Sequence, residues 1–301
     1  MPTPIKLVSL DIDGTLYGPK GSAFDVKMLG EFQVLVKKLR SKGIIPIICT
    51  GKPASYVEAF AEAYGLVGKG ASHICEHGAV IFVYESWKER NYIDTVKLYA
   101  SKDYSDLEKV AATIIKQAGG KKEEKMNSVS IIHEENDVFY RKALSIMRGA
   151  GYNVIEGSDT STKSAKEFFS LATAGKSDSE IKAEMQKKGY DFYASKSPTT
   201  INITPFPITK AFGLAYAAAK IHKCGLENVV AIGNDMGDMP LFDITGLSVA
   251  VSNSDNDTKK FVKGKGGIVT KKKSIEGVMD AMKLLLRCKT IEEVKEKSSG
   301  Q

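Results

Sequence analysis

Asp11-Ile12-Asp13-Gly14-Thr15-Leu16 follows directly on the apolar run Ile5-Lys6-Leu7-Val8-Ser9-Leu10. A short run of this kind predicts a buried strand of a parallel sheet. Two carboxylates two residues apart at the end of such a strand project where open α/β sheets bind ligands. Carboxylates are rarely interior unless paired or metal-bound, so a purely structural role fits poorly. Gly14-Thr15 then supplies a sharp turn and a hydroxyl. The stretch reads as a catalytic, metal-binding loop.

Outward from this loop, helix and strand alternate. Met28, Leu29, Phe32, Leu35, Val36 and Leu39 recur at helical spacing between Asp25 and Lys42, and Gly43 stops the helix. Ile44–Cys49 predicts a second buried strand ending in Thr50-Gly51, with Pro53 at a favoured helix start. Ser72–Cys75 is a third, short strand. From about Ser86 the texture changes. Helices are expected over 105–117, 137–148 and 177–188. Strands are expected over 129–133, 152–155, 192–194 and 200–203, with Phe168–Leu171 a further apolar run. This predicts a small α+β unit with its own antiparallel sheet, inserted between two halves of a larger α/β domain. The parallel pattern resumes with a helix over 209–222, a strand at Val229–Ile232 leading into Gly233-Asn234-Asp235-Met236-Gly237-Asp238, and a strand at Leu247–Val251. A helix over 274–286 closes it, and the tail 298–301 is expected to fray.

Composition bounds the function classes. The 301 residues, 43% hydrophobic and 26% charged, suit a globular protein of one large or two smaller domains. No apolar run approaches the roughly 18 residues that span a bilayer. The first strand begins almost at Met1, so no signal peptide is expected and a cytoplasmic location follows. The four cysteines, Cys49, Cys75, Cys224 and Cys288, are too dispersed for a zinc site or a disulfide scaffold. The formal charge of +7 can favour an anionic partner. Its lysine clusters (Lys121-Lys122, Lys271-Lys272-Lys273) lack the interleaved aromatics of single-strand nucleic-acid binders, so no nucleic-acid partner is expected.

The opening loop matches the Asp-x-Asp-Gly-Thr-Leu motif of haloacid-dehalogenase-like phosphatases. Three further pieces occur in that family's order: Thr50-Gly51 ends the second strand, Lys210 opens a helix after the insert, and Gly233–Asp238 follows a later strand. The long insert lies where the IIB subfamily, which includes the Cof-type sugar phosphatases, carries a C2-type cap. The resemblance spans nearly the whole chain. It implies a doubly wound Rossmann-like core at residues 1–84 and 205–301, with a substrate-specificity cap at 85–204. The implied activity is Mg²⁺-dependent hydrolysis of a small phosphorylated metabolite, such as a sugar phosphate or phosphoglycolate.

The residue chemistry agrees. A phosphate monoester hydrolyses extremely slowly unaided, so a site must supply a nucleophile, charge neutralisation and a proton. Asp11 can attack phosphorus to give an aspartyl-phosphate, and Asp13 can protonate the leaving oxygen and then deprotonate water. Two anions facing an anionic substrate require a cation, and Mg²⁺ is hard and oxygen-loving. In the family the first Asp, the backbone carbonyl of the second and a motif IV acid hold it. Thr50 and Lys210 resemble the groups that hold the transferring phosphoryl oxygens. Gly51, Lys52, His77 and Lys196 are candidate substrate-binding residues.

Taken singly, these residues have other readings. Thr50 can cap the helix behind Pro53, Lys210 can be a solvated helix-start lysine, and Asp235 and Asp238 can serve a turn and a helix start. The sequence also departs from the family pattern. Asn234 stands where motif IV usually has its first acid, which leaves open which of Asn234, Asp235 and Asp238 ligates the metal. In Glu76-His77-Gly78, His77 replaces a common Asn and either donates to substrate or caps a turn. A phosphomutase of the same superfamily and a non-catalytic phospho-ligand binder remain alternatives.

Overall fold

Leu7 faces one side of a sheet while Val8 and Leu10 face the other, and Val229 and Ala231 against Val230 and Ile232 repeat that alternation on the neighbouring strand. Side chains on a strand point alternately to opposite faces, so strands apolar throughout need cover on both. The computed structural model, which describes residues 2–18, 25–86, 89–134, 136–197 and 199–299, shows how this is met.

The chain opens with β1 (Leu7–Leu10), α1 (Val26–Ser41), β2 (Ile45–Ile48), α2 (Ala54–Ala63), β3 (Ser72–Cys75), β4 (Val80–Tyr84) and β5 (Arg90–Asp94). The inserted stretch continues with α3 (Thr95–Tyr99), α4 (Tyr104–Ala118), β6 (Lys121–Glu123), β7 (Val129–Ile132), α5 (Asn136–Gly149) and β8 (Val154–Glu156). It ends with α6 (Ser158–Thr173), α7 (Asp178–Gln186), β9 (Phe192–Ser197) and β10 (Thr200–Pro205). The remainder is α8 (Lys210–Tyr216), β11 (Val229–Gly233), α9 (Met239–Ile244), β12 (Leu247–Ala250), α10 (Asn256–Gly264), β13 (Ile268–Val269), α11 (Ser274–Leu285) and α12 (Ile291–Ser299).

The core sheet runs β13-β12-β11-β1-β2, all parallel. One apolar layer packs it against α1, α2 and α11, and a second against α8 and α9. Beyond β2, a single bridge from Cys49 to Ile74 joins the antiparallel sheet β3-β4-β5. This is the expected α/β, doubly wound architecture.

The inserted sheet differs from expectation. Its order is β6-β7-β10-β9-β8, and β8 lies parallel to β9, so the sheet is mixed rather than antiparallel. The cause is α6 and α7, which form the crossover between those two strands. Phe168–Leu171 lies inside α6 and is not a separate apolar segment. The insert also packs in two ways. Apolar residues of α4, α5 and the sheet make their own cluster, whereas Ala165, Phe168, Ile181 and Met185 of α6 and α7 join the second core layer. Phe168 meets Phe212 of α8 at a ring separation of 4.4 Å.

Two ends also differ. The helix expected over 209–222 is α-helical only to Tyr216 and continues as a π-helical turn, Ala217–Ile221. Ser298 and Ser299 extend α12 rather than fraying, while Gly300 and Gln301 lie outside the described residues. No described helix is long and apolar enough to cross a membrane.

Candidate active site

All four sequence motifs converge at the carboxyl ends of parallel strands. Asp11 follows β1, wedged between its neighbours: its amide donates to Ile232 O at 3.1 Å, while Cys49 N donates to Leu10 O at 2.9 Å. The loop then turns back, with Gly14, Thr15, Leu16 and Tyr17 amides bonded to Tyr17 O or Ile12 O. Gly14 has φ of +76°, and a Cβ there would lie 2.4 Å from Asn234 Nδ2, so both backbone and space require glycine.

Lys210 opens α8 behind the cap residue Thr209, whose hydroxyl accepts from Phe212 N. A cation at a helix N-terminus works against the helix dipole. Two carboxylates offset this: Lys210 Nζ lies 3.0 Å from Asp11 Oδ1 and 2.9 Å from Asp238 Oδ1. Burial opposes its charge, but Asp11, Asp238 and Asp235 outweigh that and hold the ammonium well above its usual range. Burial pushes the Asp11 carboxyl up; Lys210 opposes this, while the charges of Asp238 and Asp235 add to it. Asp235 is raised to about 6 by burial and by Asp238.

The three motif IV candidates divide. Asn234 Oδ1 accepts from the Thr15 hydroxyl at 3.0 Å. Asp238, fully buried, pairs with Lys210 and accepts from Asn234 N at 3.0 Å. Asp235 Oδ1 accepts from Gly237 N at 2.8 Å, and the residue lines a cavity. Asp13 points its carboxylate outward to Lys52 Nζ at 3.3 Å. Thus the five residues expected around a metal do not form one side-chain cluster. Among the described residues, no three His, Cys, Asp or Glu side chains are grouped to hold an ion by themselves.

A divalent cation nevertheless fits the chemistry here. Asp11 and Asp238 pair with Lys210 and Asp235 acts on it by charge, so three carboxylates share one lysine; burial raises the Asp11 and Asp235 carboxyls, and the charge of Asp238 adds to both. Asp11 and Asp235 are hard oxygen donors, the kind Mg²⁺ takes together with carbonyls and waters.

Thr50 is buried beside this group. Its amide donates to Ile74 O at 2.9 Å, and its hydroxyl accepts from Lys52 N at 3.3 Å. It does not cap α2, whose cap position is Pro53. Gly51 sits beneath the His77 ring, which a Cβ would meet at 2.4 Å. His77 has φ of +57° and hydrogen-bonds the Asn202 amide; burial, with Lys125 and Lys210 nearby, keeps its imidazole neutral.

Over the strand ends lies a cavity of about 800 Å³. Lys210, Asp235 and His77 line it from the core side. From the insert come Lys196, which pairs with Asp137, and also Tyr193, Glu156 and Asn202. The last three were not foreseen. Asn202-Ile203-Thr204 resembles a glycosylation acceptor, but Asn202 is buried and accepts from Ser130 at 2.6 Å.

Residues 8–282 match the family of haloacid dehalogenase-like hydrolases, and the chain belongs to that family. Among its relatives, the stress response protein YhaX of Bacillus subtilis is 33% identical over 87 residues, 29% of this chain and 28% of that protein. The phosphoglycolate phosphatase of Methanococcoides burtonii is 23% identical across 94% of this chain and 97% of its own. The sucrose-phosphatase of Synechocystis sp. PCC6803, solved with sucrose and phosphate, shares the fold with a TM-score of 0.58 at 12% identity, covering 95% of this chain and 98% of that one.

Proposed function

We propose that the chain is a Mg²⁺-dependent phosphatase of small phosphorylated metabolites, with residues 85–204 acting as a cap over a core formed by 1–84 and 205–301. The observation that carries this reading is the buried Lys210 ammonium shared by Asp11 and Asp238 at the floor of a cavity that the insert roofs. A buried nucleophile paired to a fixed cation is preorganised for an anionic phosphoryl group.

Asp11 attacks phosphorus through its carboxylate, and the aspartyl-phosphate so formed is hydrolysed by water. Asp13, exposed and able to trade Lys52 for substrate, donates a proton to the leaving oxygen and later takes one from water. Lys210 neutralises the transferring oxygens, the Thr50 hydroxyl holds one of them, and Asp238 fixes Lys210. Asp11, the Asp13 carbonyl and Asp235 would hold Mg²⁺, which supplies charge neutralisation for the phosphoryl group. Asn234 is reserved for bracing the loop through Thr15. Gly51, Lys52, His77 and Lys196 border the phosphoryl and leaving-group sides.

The phosphoglycolate phosphatase relative and the sucrose-phosphatase fold support a small phosphomonoester as partner. The four unpaired cysteines suit a reducing, cytoplasmic setting. The test is a screen of purified protein against phosphorylated metabolites with Mg²⁺ and with chelator. Phosphate release from at least one, abolished by chelator, is expected. Release that chelator leaves intact, or isomer interconversion without phosphate release, would overturn the reading.

A further inference from the structure

Glu76 is a fully buried carboxylate that the chemistry above does not use. It directly follows β3 in a left-handed conformation, φ +49°. Its carboxylate leaves the core and is met by the loop between β6 and β7 of the insert. Met126 N donates at 2.9 and 3.1 Å, Asn127 N at 2.8 Å and Ser128 Oγ at 3.3 Å. Burying a carboxylate is expensive unless several donors satisfy it, and these are the donors. Every one of them lies on the insert, some fifty residues away.

The same spot joins the two halves of the site. Glu76 N donates to Lys52 O at 2.9 Å, and His77 N donates to Thr50 O at 3.1 Å. Lys125, whose side chain is only 2% exposed, pairs with Glu123 at 3.2 Å and donates to Ser130 Oγ. Ser130 in turn donates to Asn202, and Asn202 hydrogen-bonds His77. A closed chain of polar contacts therefore runs from the end of β2, through Glu76 and His77, into the inserted sheet and back.

We infer that Glu76 is a positioning residue: its carboxylate latches the 126–128 loop to the core and thereby fixes the insert, with Asn202 and His77, over the leaving-group side of the cavity. A buried network of this kind specifies one arrangement of its members, and losing one acceptor leaves donors unsatisfied. Glu76→Gln keeps the shape but turns one acceptor oxygen into a donor facing those N–H groups.

Hydrogen exchange on the full chain tests this. In the wild type the Met126 and Asn127 amides, bonded to Glu76, are expected to be protected, and Glu76→Gln is expected to accelerate their exchange by about tenfold or more. Ser128→Ala removes one donor and the support it gives the loop, giving a smaller acceleration of about two- to fivefold. It carries the test if Glu76→Gln does not fold. The kinetic arm, which alone rests on the phosphatase reading, uses two substrates. For glucose 6-phosphate, KM in Glu76→Gln should rise about tenfold; for p-nitrophenyl phosphate, whose activated leaving group needs little from the insert, kcat should stay within about threefold. Unchanged exchange at 126–127 in the folded variants, or an equal loss of kcat on both substrates, would overturn the latch. A wild type inactive on both substrates would defeat the phosphatase reading, and the exchange result would still decide the role of Glu76.

Discussion

At the scale of single residues, the altered fourth motif is the point of greatest consequence. Asn234 stands where an acid is usual, and the structure gives it another task, accepting from Thr15 at 3.0 Å. Asp235 is left as the cavity-facing acid. Asp235→Asn should therefore raise the Mg²⁺ concentration needed for half-maximal activity by about tenfold or more. Asn234→Ala should leave it within about threefold while lowering stability by about 1 kcal/mol through the lost hydrogen bond. Mg²⁺ titration of both variants checks this, and a larger shift in Asn234→Ala would reverse the assignment. Much of this site was legible in sequence, because Asp11, Asp13, Thr50, Lys210 and Asp238 all sit at strand or helix ends that hydrophobic runs announce. The split among Asn234, Asp235 and Asp238 was not, since it depends on partners 219 residues away, 28 residues away and across the motif. Glu76 was invisible for the same reason.

Among elements, β3 shows how a buried histidine ties the edge of the core together. His73 Nδ1 accepts from Ile48 N at 3.0 Å, so its proton sits on Nε2, which donates to Leu66 O at 3.1 Å. Burial lowers its pKa to about 3 and that of His222, beside Ser72, to about 4. Both histidines bind protons more readily in the unfolded chain. Their stabilisation is complete above the unfolded value near 6.5 and is lost as pH falls through the window toward the folded values. Each contributes a slope of up to about 1.4 kcal/mol per pH unit across that window. Urea unfolding from pH 7 to 4.5 should show falling stability, with the slope reduced by about one proton in His73→Gln. An identical slope in that variant would contradict the role given to His73. The core strands were readable as short, continuously apolar runs buried on both faces, and α1 by its clean 3.6-residue spacing. By contrast α6 was not legible, because the four-residue apolar run Phe168–Leu171 has no distinguishable period, and the parallel β8–β9 pair was hidden with its crossover.

For the molecule as a whole, the insert is bonded to the core through an apolar seam at Phe168 and Phe212 and through polar contacts, among them the latch at Glu76 and the Ser161 hydroxyl donating to Thr209 Oγ1 at 2.8 Å. Neither was legible, since composition marks where a texture changes but not which faces meet. Together they hold the roof of a cavity of about 800 Å³, far more than a two-carbon acid fills. In the roof Asp137 pairs with Lys196 and Glu156 with Arg148 at 2.7 Å, so both cations are already engaged, an arrangement that does not favour a leaving group bearing its own carboxylate. Hexose phosphates should accordingly be hydrolysed with kcat/KM about tenfold or more above phosphoglycolate, and the opposite order would show that the cavity does not set selectivity. All of this depends on Asp11 being the group that takes the phosphoryl. The most direct test is phosphate release from p-nitrophenyl phosphate with Mg²⁺, measured for wild type and Asp11→Asn side by side after circular dichroism shows both folded. The account predicts turnover by the wild type and a loss of about 10³-fold or more in the variant; a variant that keeps the wild-type rate would contradict it.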